Sequence, residues 1–321
     1  MQRSDLLSRI KVIGIPTRTN FRGVSLREIA LIKGEKRWSE FSPFKDYSVE
    51  RDALWLQAAL EAANHDFPDA LRQQVRVNAT LPEVPVARVG EVLSWFPGST
   101  TIKVKVGTAN DEERIREVFR IIPEARLRLD ANGLFSIHEA QDFLTSLYNK
   151  YGHQIEYVEQ PCASLSENKA LNLPIPLAID ENLRLGDDLG EINRVADVVI
   201  VKVAPLGGIN RALNVISKLD KPVVISSALE SSVGLATGIA LAAHLADDVI
   251  CGLGTAALLD SDVVKEPLLP HNGFVSVTEV EVDDAAVARF QLSQEQVEWW
   301  HNRIANAYER YLTNIDQGES R

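Results

Sequence analysis

A chain of 321 residues, 45% apolar and 25% charged, can bury a sizeable core, which excludes a disordered segment, a collagen-like rod and a coiled coil. Acidic residues outnumber basic ones 45 to 34, a net charge of −11 that is wrong for gripping nucleic-acid phosphates. No apolar run approaches the length of a membrane span, and the opening MQRSDLLSRI has no secretory apolar stretch, so a cytoplasmic protein is expected.

The first 70 residues read as an α+β unit. VSLREIALIKG and KRWSEFS look like antiparallel strands joined at Gly34. SVERDALWLQAALEAAN reads as an amphipathic helix with Leu54, Ala58 and Ala62 on one face. The polar TRTNFRG stretch, with Arg18 and Arg22, suits a flexible loop that closes over a ligand.

From Val75 the pattern changes to short β-branched runs separated by amphipathic stretches. The runs are VRVNATL, TIKVKVG, RLRLDAN, IEYVEQP, PLAIDEN, DVVIVKV, PVVISSA and DVICGLG. Asn110 with Glu113, and Ser136 with Glu139, have the spacing of capping boxes. Strands alternating with helices predict a parallel sheet with right-handed crossovers, and eight strands are the number that closes a (β/α)8 TIM barrel. An open doubly wound sheet is the structural alternative. The tail, LSQEQVEWWHNRIANAYERYL, is a helix with Val297, Ile304 and Tyr308 on its apolar side. The expected division is a capping domain over residues 1–74, with 280–321 packing back onto it, and a barrel over 75–279.

Two cysteines without a CxxC pair and six scattered histidines argue against a disulfide framework or a zinc hydrolase, and no GxSxG elbow offers a serine nucleophile. In a barrel, working side chains come from the C-terminal ends of strands. Lys103, Lys105, Asp130, Glu159, Asp180 and Lys202 stand at successive ends, with gaps of 25, 29, 21 and 22 residues from Lys105 onward. Period-two alternation turns Thr101, Lys103 and Lys105 one way and Ile102, Val104 and Val106 the other. Helices cover the aliphatic face, so both lysines point inward, where they need anions or a task. The three carboxylates are hard oxygen donors with no histidine nearby, a set that suits Mg2+, with Mn2+ as a substitute. Two plainer readings stay open: Asp130 as a turn former before Asn132-Gly133, and the other acids as salt bridges to the lysines.

Weaker features surround this set. Arg128 shares the inward face of its strand with Asp130, where it could pair with a carboxylate. Ser226 and Ser227 end a strand before a helix whose N–H groups could bind a carboxylate. The GxGxxA run at Gly252–Ala257 closes the last strand, so backbone room for a ligand at Gly254 is a better reading than a dinucleotide loop. Glu181 should point away from the mouth, toward a covering helix.

The motifs KVK (Lys103–Lys105), LDANG (Leu129–Gly133), VEQP (Val158–Pro161), IDE (Ile179–Glu181) and VKVAPLGGI (Val201–Ile209), with WSEFSPF (Trp38–Phe44) in the cap, resemble the enolase superfamily in its muconate-lactonising branch. The resemblance runs over essentially the whole chain. It implies Asp130, Glu159 and Asp180 as Mg2+ ligands, Lys105 as the catalytic acid/base and Lys202 facing it, with Lys103 beside them. It also implies proton abstraction next to a carboxylate of a small-molecule substrate. The SSALESSVG segment (Ser226–Gly234) looks most like the branch's menaquinone-pathway dehydratases, whose substrate is 2-succinyl-6-hydroxy-2,4-cyclohexadiene-1-carboxylate. An N-acylamino-acid racemase or dipeptide epimerase on the same barrel is the alternative, and a non-catalytic acid-binding relic the rival of another class. No nucleic-acid or membrane partner is expected, and a monomer is compatible with the sequence.

A lysine base must be neutral, although its free pKa is about 10.4. Bringing it to about 7.5 takes roughly 4 kcal/mol of differential interaction, with the metal and Lys103 as the expected causes.

Overall fold

The computed structural model describes residues 2–316. Its first layer is a three-stranded meander: β1 (Ile10–Phe21) pairs antiparallel with β2 (Val24–Lys33), and β2 with β3 (Trp38–Phe41). Thr17–Phe21, expected as a loop, is therefore strand. The turn is confined to Arg22 and Gly23, at φ values of 53° and 80°. Alternation sorts the meander into two faces: Ile13, Ile15, Ile29 and Leu31 join the core of the large sheet, and Val12, Ala30 and Ile32 join the cap's own core.

The cap helix (Val49–Asn64) lies in that second core with Trp55, Leu56 and Ala59 buried. Ala53, Ala58, Ala62 and Ala63 are buried as well, so the helix is sandwiched rather than one-faced. Against it packs the C-terminal helix (Gln294–Asp316), which turns Ile304 and Tyr308 inward with Val297 half-buried, as its periodicity predicts. Arg303 fastens the pair by donating to Asp52 from Nε (2.6 Å) and Nη2 (2.7 Å), a buried two-pronged contact.

VRVNATL divides into β4 (Gln74–Arg76) and β5 (Ala79–Leu81). Strand β5 then opens a parallel sheet continued by β6 (Thr101–Lys105), β7 (Arg126–Asp130), β8 (Ile155–Glu159), β9 (Leu177–Ile179), β10 (Val198–Lys202) and β11 (Val223–Ser226). These seven strands stand side by side in chain order and the sheet is curled. The expected eighth strand is not one. Cys251 makes a single parallel bridge to Val77 and Gly252 one to Ser226, so this segment touches both ends of the sheet without extending it. Glycine is required there, because a Cβ on Gly252 would run into the Ser226 side chain. A short β12 (Phe274–Ser276) pairs with β4.

Ser136 and Glu139 form the expected capping box. Asn110 does not cap: it is left-handed (φ 61°), and the turn is instead held by Asp111 Oδ2, which accepts from Gly107 N (2.7 Å) and Thr108 N (3.1 Å). A second capping box, Ser164 with Glu167, opens the helix Leu165–Ala170.

Candidate active site

The C-terminal ends of the strands open into a cavity of about 550 Å3. Lys103, Lys105, Asp130, Lys202, Ser226 and Ser227 line it from the sheet, and Phe21, Arg22 and Phe44 from the cap. The strand register explains the convergence. Lys105 stands opposite Asp130, and Asp130 opposite Glu159. Residues separated by a whole strand–helix unit thus meet at one level.

The two outer lysines are held by carboxylates. Lys103 Nζ lies 2.9 Å from Asp130 Oδ2 and donates to Glu159 Oε1 at 3.1 Å. Lys202 Nζ donates to Asp180 Oδ2 at 2.6 Å. Lys105 differs, since its Nζ donates to two neutral acceptors, Asn132 Oδ1 (2.6 Å) and Ala131 O (3.2 Å). Asn132 is left-handed (φ 47°) and donates its amide to Asp130 Oδ1 at 2.6 Å, which orients its oxygen toward the lysine.

These surroundings separate the protonation behaviour of the groups. Burial lowers the pKa of Lys105, opposed by Asp130 and helped by Arg22 and, less, by Lys103. Lys103 lowers it as expected, but less than Arg22 does, because Asp130 and Glu159 lie against its own ammonium. Burial works against the Lys103 ammonium too, but those two carboxylates more than offset it and raise its pKa. Glu159 is pushed up to about 7 by burial and by the Asp130 and Asp180 carboxylates, against Lys103. Half-buried Asp130 and buried Asp180 are held below the ordinary range, against the cost of desolvation, by Lys103 and Lys202 respectively.

Among the described residues, no three acidic, histidine or cysteine side chains already enclose a common point; Lys103 sits between two of the acids instead. The donor chemistry nevertheless fits a hard divalent cation. Three carboxylates reach the ends of adjacent strands, all donors are oxygen, and after burial it is their crowding that raises Glu159.

Several expected contacts lie elsewhere. Arg128 points down the sheet, away from the mouth: it donates to Glu156 Oε2 (2.6 Å), Asn78 Oδ1 (3.1 Å) and Ile250 O (2.7 Å). Two residues earlier on a strand is one layer lower, so it pairs with Glu156 rather than with an acid at the cavity. Gly254 is packed against Pro270, Asn78 and Phe96, and it is Gly252 and Thr255 that line the cavity. Ser226 and Ser227 do line it, but the helix after them is capped by Ser231, and its first N–H groups are taken by Glu40 and Asp262. Arg18 packs over the Trp95 ring at 5.2 Å. Glu181 faces the mouth, contrary to expectation, because the chain turns into a short helix (Glu181–Leu185) right after Asp180 and alternation no longer applies. Arg184 and Asn132 were not expected as site groups; Asn132, inside LDANG, carried a signal and Arg184 none.

The enolase C-terminal domain-like model matches residues 91–282, and the enolase N-terminal domain-like model residues 12–63. Among solved structures, a muconate lactonizing enzyme from Pseudomonas fluorescens complexed with muconolactone has the same fold, with a TM-score of 0.74 at 16% identity over 88% of this chain and 98% of that one. The chain belongs to the enolase superfamily. The o-succinylbenzoate synthase of Mycolicibacterium smegmatis is 41% identical over 310 residues, covering 94% of this chain and 95% of its own. That of Mycobacterium ulcerans is 40% identical, covering 95% and 94%. Within the superfamily, the chain is thus a member of the o-succinylbenzoate synthase family.

Proposed function

We propose that this chain dehydrates 2-succinyl-6-hydroxy-2,4-cyclohexadiene-1-carboxylate to o-succinylbenzoate, a step of menaquinone biosynthesis in the cytoplasm. The observation that carries this reading is the state of Lys105, an amine at the cavity whose partners are neutral and whose pKa is lowered by burial. Relatives near 40% identity across almost the whole chain support it.

Asp130, Glu159 and Asp180 would hold Mg2+, or Mn2+ in its place, and the ion would supply positive charge to a carboxylate that becomes an enediolate. Neutral Lys105 removes the proton next to the carboxylate. The same ammonium then returns that proton to the departing hydroxyl group, so water leaves from the face on which the proton was taken. Aromatisation of the ring drives the elimination. Lys202, buried on Asp180, stays cationic and offsets the negative charge from the other side. Lys103 keeps Asp130 and Glu159 in place. The single bridges from Cys251 and Gly252 support reading the curled sheet as a closed barrel, with residues 1–74 and 280–321 as its cap and 75–279 as the barrel.

The racemase reading needs a second base opposite Lys105. The contact of Lys202 Nζ with Asp180 Oδ2 at 2.6 Å disfavours it, because that nitrogen is already engaged by a carboxylate while Lys105 has only neutral partners. Steady-state turnover of the cyclohexadiene carboxylate tests the proposal: activity should appear with Mg2+ and vanish in excess chelator. Absence of turnover with Mg2+ would overturn it, and full activity in chelator would overturn the metal assignment.

A further inference from the structure

We infer that Arg22, seated by Glu181, selects substrates carrying a second carboxylate at the end of the acyl tail. The inference rests on the synthase reading above and adds to it the group that recognises the succinyl end.

The geometry begins at the tip of the β1–β2 hairpin, the part of the cap that reaches into the cavity. Arg22 Nη2 donates to Glu181 Oε1 at 2.8 Å, and its Nε to Asn132 Oδ1 at 3.2 Å. Arg184 Nη2 donates to the same Glu181 oxygen at 2.9 Å, and its Nη1 to Tyr47 Oη at 3.2 Å. Two guanidiniums thus share one carboxylate oxygen, while Glu181 Oε2 is buried without a hydrogen-bond partner. This is not the parallel two-pronged pairing that satisfies an arginine. Arg22 spends only two of its five N–H groups on these contacts and keeps donors for an anion in the cavity.

Charge and position point the same way. With Lys105 neutral, Lys103, Lys202, Arg22 and Arg184 balance Asp130, Glu159, Asp180 and Glu181 around the mouth, so a divalent ion held there would leave a surplus of two positive charges. A dianion matches that surplus better than a monoanion. Arg22 and Lys105 donate to the same Asn132 oxygen, so the two side chains are neighbours. The acyl tail leaves the ring next to the carbon that loses its proton to Lys105. On this proposal its far carboxylate lies against Arg22, which shares the Asn132 acceptor with Lys105. Glu181 is then a positioning residue, steadying Arg22 from the sheet without touching the substrate.

The test compares binding of o-succinylbenzoate with that of 2-butyrylbenzoate, which has the same tail length and no second carboxylate. Both are titrated calorimetrically into the Mg2+-loaded wild type and the Arg22→Met, Arg22→Lys and Glu181→Gln variants, alongside kcat and KM. The wild type should prefer the dicarboxylate by about tenfold to a hundredfold. Arg22→Met should bring that preference to near unity, Arg22→Lys should restore part of it, and Glu181→Gln should lower it with the loss falling on KM rather than kcat. Retained preference in Arg22→Met would overturn the inference, as would equal weakening of both ligands. A wild type that turns over substrate but binds both ligands alike would also overturn it, with the synthase reading left standing. A wild type without turnover would refute that reading and this one together.

Discussion

Lys105 and Lys202 flank one cavity on the same sheet, yet their surroundings could hardly differ more. Lys202 is buried on β10 against the Asp180 carboxylate, a charge-assisted contact of 2.6 Å. Lys105, at the end of β6, faces an amide oxygen and a backbone carbonyl, acceptors that hold an amine in place without fixing its charge. Burial then tips it toward the neutral form. The contrast teaches that a base is made less by the residue than by the charge of what it touches. It also separates one-base elimination from two-base racemisation.

The contrast is most directly broken at Lys105. Lys105→Ala should lower dehydration by about a thousandfold or more, within the range of a lost general acid/base, as read in steady-state turnover at saturating Mg2+. A loss below tenfold would mean that another group takes the proton. Lys202→Arg keeps the charge but cannot act as a base, so it should retain a measurable part of the dehydration rate. For any N-acylamino acid that the protein accepts, that variant should lose racemisation, and in deuterated water α-deuterium should enter only from the Lys105 side. Undiminished racemisation would make the asymmetry between the two lysines false.

A smaller effect sharpens the electrostatic side of the comparison. Arg22 is a like charge that helps to lower the Lys105 pKa. Removing it in Arg22→Met stabilises the ammonium, so the rising limb of kcat against pH should move upward by roughly half a unit to one unit. A limb that stays in place would confine the role of Arg22 to binding.

Away from the cavity, at the seam between cap and sheet, a buried carboxylate serves structure. Glu40 accepts from Ser42 Oγ (2.5 Å), Ser231 Oγ (2.5 Å) and Ser231 N (3.0 Å), yet burial pushes it up to about 7. The folded state therefore holds a proton that the unfolded state has released, and stability falls as pH rises from the ordinary glutamate range to about 7. The difference corresponds to about 3 kcal/mol. Urea unfolding at pH 5 and pH 8 should show a shallower decline in Glu40→Gln than in the wild type. Equal slopes would mean that Glu40 is ionised at both.

The spacing of Lys105, Asp130, Glu159, Asp180 and Lys202 was legible in the chain because a parallel sheet repeats a strand and a helix per step and presents each strand end at one mouth. The C-terminal helix was legible from its apolar stripe. What failed was whatever depends on a local departure from that rhythm. Glu181 could not be oriented by alternation, because the strand stops at Ile179 and the chain turns helical. Arg128 carries the same charge and inward parity as a site residue, and only its depth, set by the register against Glu156 and Ile250, removes it from the cavity. The eighth strand reduced to two bridges because its glycines let the chain approach both edges without a ladder. The sequence alone determined which groups arrive at the mouth, since strand periodicity is local. Which of them carries a charge and which can lose a proton was decided by tertiary contacts between distant segments, because a pKa answers to burial and neighbours that no spacing records.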